Sequence, residues 1–243
     1  MGVAVASAPT VQIVESYWTK TMELKWVRPR KPKHNDKSFS ISQPVSPPPL
    51  PLYISTKRSH LNLDHLRQLY GNCKLSGHLH RKNADAVEAV DVDKLRLAIS
   101  HSSLVVSVFC KPRDVVAAAS DSAIELKDLI ERVVSPVSPL NGELVGFGRA
   151  VSDLGLTASI YDVMVVPSLR GMGIGKMIVQ RIIRMLISRE IYDISILCSQ
   201  NQRAFFEACG FGNDVLGSTT MMYTRTVPEG NMIDKPVGPK LLS

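Results

Sequence analysis

No stretch of this chain approaches the ~20 consecutive apolar residues of a membrane-spanning helix. The longest apolar pattern, Ile174 to Ile187, is broken by Lys176, Gln180, Arg181 and Arg184 and reads as an amphipathic helix. Cysteine is scarce as well. Cys73, Cys110, Cys198 and Cys209 include no Cys-x-x-Cys pair, and no secretory signal is visible. Reduced thiols in a reducing compartment are therefore expected. Cys110 and Cys198 sit in apolar runs and read as core fillers. His78 and His80 flank Leu79 near Cys73 but lack a fourth ligand at zinc spacing, so they read as surface histidines and no metal is expected.

Acidic residues are sparse at one end. Residues 1–58 hold three Asp or Glu against nine Lys or Arg, whereas 59–243 hold 19 against 20. The formal net charge of +7 thus falls almost wholly in the N-terminal segment, and no nucleic-acid footprint is expected on the remainder. That segment contains Arg28-Pro29-Arg30-Lys31-Pro32-Lys33 and a Ser/Pro tract from Ser38 to Pro51. Such a composition buries too little apolar surface to offset its ordering entropy. It resembles a chloroplast or mitochondrial transit peptide, although Glu15 and Glu23 interrupt the pattern. The alternatives are a disordered tail that stays attached, or a nuclear import signal at Arg28–Lys33. Trp18 and Trp26 fall within this presumed leader. The expected division is a leader over 1–58, a folded domain over 59–227 with an insertion near 112–141, and a loose tail over 228–243.

Within the folded part, Asn62 or Asp64 caps a first helix carrying Leu66 and Leu69. A second helix fits Asp91 to Ser100, and Leu104 to Cys110 reads as a strand. Ile124, Leu126, Leu129, Ile130 and Val133 predict a helix inside the insertion. Glu143–Val151 and Thr157–Val166 read as a hairpin, followed by a long helix. A short strand at Ile194–Cys198, a helix to Cys209, and one or two strands over Val215–Val227 complete the pattern. Hairpins mixed with helices imply an α+β or α/β domain with one core.

The most informative stretch runs from Met164 through Pro167, Arg170, Gly171, Gly173 and Gly175 to Lys176. It is a strand, a glycine-rich turn and a helix. Three glycines where a helix begins let a ligand approach the backbone closely. The first helical N–H groups lack acceptors, and the macrodipole is positive there. This is an anion site suited to a pyrophosphate, with Arg170 and Lys176 adding charge. A P-loop would need glycine at Arg170 and a hydroxyl at Met177. A dinucleotide fold needs Gly-x-Gly-x-x-Gly, whereas Gly171, Gly173 and Gly175 give Gly-x-Gly-x-Gly.

Arg170-x-x-Gly173-x-Gly175 closely resembles the acetyl-CoA signature of the GNAT superfamily, and the order of elements from about residue 60 to 227 is similar to that family's core. The resemblance implies a central mixed, largely antiparallel twisted sheet flanked by helices. A notch where one strand splays from its neighbour would hold acetyl-CoA. It implies that Met164, Val165 and Val166 contact pantetheine, and that Arg170, Gly171, Met172, Gly173, Ile174, Gly175 and Lys176 wrap the pyrophosphate. Ser199 occupies the family's usual Asn site, with Asn201 two residues later; both are candidate coenzyme contacts. The backbone N–H of Val165 or Val166 would serve the oxyanion.

Amine attack on a thioester needs a base, because a lysine amine with a pKa near ~10.4 is mostly protonated at neutral pH. Asp162 lies two residues before Met164, so strand alternation puts both on one face and makes it the candidate base. It is equally readable as a solvent-facing or turn carboxylate. The family's usual acidic tyrosine is replaced by Phe206, which cannot donate a proton. Alternation points Tyr161 away from Asp162, and Tyr223 is a weaker substitute. Phe205 and Phe206 read as core residues or a wall of the acyl pocket. Details from Glu143 to Thr226 are similar to plant plastid GNAT enzymes, a group that includes serotonin N-acetyltransferases. Protein or peptide amines in a chloroplast are therefore the expected acceptors, with mitochondrion or nucleus as alternative compartments. Small aromatic amines, or acetyl-CoA binding with little turnover, are the competing functions.

Overall fold

The computed structural model describes residues 22–27, 49–74, 90–119, 135–213 and 217, with only the backbone described over 116–119. Six strands form one sheet in the order β1 (Met22–Val27), β2 (Leu50–Ser55), β3 (Leu104–Cys110), β4 (Glu143–Ser152), β5 (Thr157–Val165) and β6 (Asp193–Ile196). Neighbours pair antiparallel, except β5 and β6, which run parallel. The helices are α1 (Leu63–Asn72), α2 (Val92–Ser100), α3 (Pro112–Ala119), α4 (Ile174–Ile187) and α5 (Gln200–Glu207). These elements belong to one compact unit, Met1–Gly210; Phe211–Ser243 forms a second, of which 211–213 and 217 are described.

The sheet reaches back further than the composition implied. The folded part was expected to begin near His60, with residues 1–58 as a leader. Instead β1 and β2 extend the sheet beyond β3, and Leu50, Leu52 and Ile54 of β2 are buried. Glu23 of β1 pairs at 3.5 Å with Arg181 of α4. Arg181 is itself buried, not solvent-facing as its place among the breaks in the apolar pattern implied. Burial pushes its guanidinium pKa down, and Glu23 acts against that shift. The predicted helix at 124–133, the strands over 215–227 and the tail at 228–243 lie outside the described residues, apart from Gly217.

Every residue of β3 is buried, as its run of β-branched side chains requires for a central strand. Ile174, Ile178, Val179, Ile182 and Leu186 form the buried stripe of α4, which lies across β3, β4 and β5. Each such side chain contributes about 1.5–3 kcal/mol when removed from water. Close approach depends on two glycines of β4. A Cβ on Gly148 would stand 2.5 Å from Ile178 Cγ2, and one on Gly146 would stand 3.1 Å from Ile178 Cδ1. Gly148→Ala is therefore expected to destabilise the fold by about 1–3 kcal/mol through overpacking. Denaturant midpoints measure this, and an unchanged midpoint would show that α4 moves away freely.

α1 covers the opposite face of β4 and β5. Its N-cap is Asn62, whose side chain accepts from the N–H groups of Asp64 (2.8 Å) and His65 (3.3 Å). Asp91 caps α2 in the same way, and its backbone hydrogen bonds from Lys94 and Asp93 hold its carboxyl below the usual range. In the β4–β5 hairpin, Asp153 Oδ1 accepts from the N–H groups of Gly155, Leu156 and Thr157. Leu154, not Gly155, takes the left-handed conformation there, with φ 66°.

Candidate functional site

β5 ends at Val165, and a short 3-10 turn over Pro167–Leu169 anchors the chain through buried Leu169. Gly171 and Gly173 then adopt φ of 80° and 85°. Any other L-residue would meet its own carbonyl in that conformation, at roughly 1–2 kcal/mol per residue. A Cβ on either glycine would meet no described atom within 4 Å, so the space beside the turn is open there. Gly173 caps α4 without a side-chain bond, and Met177 N–H makes the first helical bond, to Gly173 O at 3.0 Å. The N–H groups of Ile174, Gly175 and Lys176 precede that bond and are available to an anion.

Gly175 has a packing role besides the one expected of it. A Cβ there would stand 3.1 Å from the ring of Phe205, so this glycine seats α5 against α4. Phe205 meets Phe206 edge to face at 4.8 Å; Phe206 is buried and Phe205 is partly exposed. Ser199 caps α5, with its N–H and hydroxyl both donating to Gln202 Oε1 at 3.1 Å, while Asn201 is exposed. Burial pushes the Cys209 thiol up against the opposing charge of Lys176, so Cys209 does not rest as a thiolate.

A notch opens above the turn. β5 pairs with β6 from Thr157 to Ile160, and among the described residues none pairs with Tyr161–Val165 on that side. Of the three residues expected to meet pantetheine, Met164 and Val166 are buried and Val165 is half-buried. Val166 N–H is taken by Val145 O at 2.9 Å, which removes it as an oxyanion donor. In an antiparallel ladder the neighbouring residue then turns its main-chain groups the other way. The N–H and C=O of Val165 therefore face the notch, and that carbonyl accepts from Arg170 Nε (3.0 Å) and Cys73 Sγ (3.3 Å).

At the head of the notch alternation holds from Asp162 to Met164 but breaks between Tyr161 and Asp162. The β4–β5 register slips between Phe147 and Arg149, so two residues of β5, Asp162 and Val163, oppose Gly148. Asp162 sits in this bulge with φ 56°. Its carboxylate forms an ion pair with Arg149 Nε, and Arg149 also lies 5.1 Å over the ring of Tyr161. Tyr161 and Asp162 thus meet the same cation, contrary to the opposite faces expected of them. Tyr70 of α1 joins them. Burial pushes its phenol pKa up, and the charge and hydrogen bond of Asp162 add to that shift.

Arg149, Tyr70 and Cys73 were not singled out from the sequence for the site. Arg149 alone left a signal, as a lone charge inside the apolar strand Glu143–Ser152. Tyr223, His78 and His80 lie outside the described residues. A separate half-open cleft of about 310 Å³ runs between α1, the start of α3 and residues 140–144, with His65, Gln68, Asn72, Asn141 and Glu143 on its walls.

The model of the acetyltransferase (GNAT) family matches residues 113–211. A protein of Arabidopsis thaliana, GCN5-related N-acetyltransferase 3, chloroplastic, is 46% identical over 230 residues, covering 85% of this chain and 94% of that protein. The uncharacterized N-acetyltransferase ycf52 of Pyropia yezoensis is 28% identical, covering 71% of this chain and 76% of its own. Histone acetyltransferase TAP1 of Glycine max is 35% identical over 80 residues, a third of this chain (33%) and 35% of that protein.

Proposed function

Because the chain belongs to the GNAT family of acetyltransferases, we propose that it transfers acetyl from acetyl-CoA to protein amines, at lysine side chains, N-terminal α-amines or both. The observation that carries the coenzyme part is the left-handed pair Gly171 and Gly173 at the start of α4, opening onto the notch beside β5. The pyrophosphate lies against the N–H groups of Ile174, Gly175 and Lys176, with Arg170 and Lys176 supplying charge. Pantetheine runs up the notch side of β5, where the Val165 N–H donates to one of its amide carbonyls. The thioester then stands toward the bulge at Asp162.

The step is direct. The neutral amine attacks the thioester carbonyl, an N–C bond forms and the C–S bond breaks. The proton shed by the amine balances the one taken up by the coenzyme thiolate. A protein acceptor is supported by the half-open cleft beside α1, whose described walls carry no Phe, Tyr or Trp and so contrast with the enclosed aromatic pocket a small amine favours. The name of the soybean relative, a histone acetyltransferase, points the same way. Plastid location is supported by the chloroplastic name of the Arabidopsis relative. Any removable leader then ends before Met22, because β1 belongs to the sheet.

Incubation of the protein with acetyl-CoA, a mixed peptide library and serotonin tests the reading by mass spectrometry. Acetylated peptides are the expected product. Acetylserotonin alone would move the acceptor to small amines. Coenzyme binding without either product would favour a regulatory protein, a reading that buried, non-donating Phe206 keeps alive.

A further inference from the structure

We propose that Asp162 is a positioning residue that fixes the bulge at the head of the notch through Arg149, and is not the base that takes the acceptor's proton. This rests on the acetyl-transfer reading, which alone puts the thioester near the bulge.

Three observations converge on it. A non-glycine residue at φ 56° in mid-strand is held there against a conformational cost of about 1–2 kcal/mol. Something must hold it, and the Asp162 side chain is tied to Arg149. Second, a base has to offer a free lone pair to the ammonium it deprotonates. The Asp162 carboxylate already accepts from the Arg149 guanidinium through Oδ2, beside the Tyr70 phenol, and only 24% of its side chain is exposed. Third, Arg149 is anchored in turn: its Nη1 reaches Ser102 Oγ at 3.4 Å, Tyr161 lies beneath it, and only 17% of its side chain is exposed. The cluster therefore has the character of a fixed brace.

The brace has a consequence for the site. Because strand residues alternate, one extra residue reverses which of their main-chain and side-chain groups face each way. The bulge therefore decides that Val165 turns its N–H and C=O to the notch while Met164 and Val166 are buried. If the bulge relaxed into regular pairing, the neighbours of Val165 would face the coenzyme instead.

The test uses the full chain, acetyl-CoA and a peptide acetylated by the unaltered protein. Asn tolerates a left-handed backbone and can still accept from Arg149. Asp162→Asn is expected to lower kcat by no more than about tenfold and to keep a parallel pH profile, whereas loss of a general base costs about 10²–10⁴-fold. Asp162→Gly, which adopts positive φ without any side chain, should also keep the profile's shape. Arg149→Met should lower kcat by roughly thirtyfold with acetyl-CoA affinity held within about threefold, and Arg149→Lys should restore part of the loss. An Asp162→Asn protein that binds acetyl-CoA normally, yet has lost at least about a hundredfold in kcat together with the acidic limb of the profile, overturns the proposal. Inactivity of the unaltered protein on every acceptor would overturn the acetyl-transfer reading itself, a result separable from the first.

Discussion

A chain that starts at residue 58 is expected not to fold, whereas one that starts at residue 21 should melt like the full chain. The shorter form loses β1 and β2, two of the six strands. Leu50, Leu52 and Ile54 are no more than 4% exposed, and each is worth about 1.5–3 kcal/mol when buried. Their sum is comparable with the whole stability of a typical domain, about 5–15 kcal/mol. The damage does not stop there. Buried β3 would become an edge strand, with Val106 and Val108 beside an open row of backbone donors and acceptors. Arg181 would lose Glu23 while still inside the fold, and an unpaired buried charge is strongly destabilising. Soluble yield and a circular-dichroism melt measure the effect. A cooperative melt at the full chain's temperature, from a chain beginning at 58, would show that β1 and β2 are dispensable.

The same boundary changes the electrostatic argument. Residues 1–21 hold one acid, Glu15, and one base, Lys20, so the net charge of +7 stays with the chain from Met22 onward. The basic run Arg28–Lys33 joins β1 to β2 in sequence, inside the folded unit's span. The expectation of a nearly neutral processed domain depended on cleavage near residue 58. It does not hold for a domain whose first strand is Met22–Val27.

The parts of the fold that were legible share one property: their signals are local. Asn62 announces its cap, the β-branched run from Leu104 announces a central strand, and the i, i+4 spacing of Ile174, Ile178 and Ile182 announces α4. Gly171 and Gly173 were legible because a left-handed turn leaves little choice of residue. What stayed hidden depends on partners distant in sequence. β1 and β2 flank a proline-rich, basic stretch, and composition averaged over 58 residues swamped two strands of six. Glu23 looked like a flaw in a leader; its reason is Arg181, on another element. Alternation places Tyr161 opposite Asp162, whereas the two share Arg149, because a bulge is a pairing event between strands and one strand's alternation contains no record of it. Gly175 was grouped with its neighbours although Phe205, thirty positions on, fills the space beside it.

That last distinction carries the second large prediction. Gly173→Val is expected to weaken acetyl-CoA binding by about a hundredfold or more while leaving the melting temperature within a few degrees. The backbone at φ 85° disfavours any β-branched residue, and the new side chain would project into the open space over the turn. A pyrophosphate there loses contact with the first N–H groups of α4. Hydrogen bonds to a charged group are worth about 1.5–3 kcal/mol each, so losing one or two accounts for a factor of this size. Gly175→Ala separates the two roles. Its Cβ would press on Phe205 at 3.1 Å, so its first effect should be on the packing of α5 and only secondarily on the ligand. Calorimetric titration with acetyl-CoA and thermal melts of both variants measure the difference. Equal loss of affinity in the two, with equal loss of stability, would mean that the glycines act only through the fold and that the turn is no anion site. Loss of affinity confined to Gly173→Val, at unchanged stability, assigns the open face of the turn to the coenzyme's pyrophosphate.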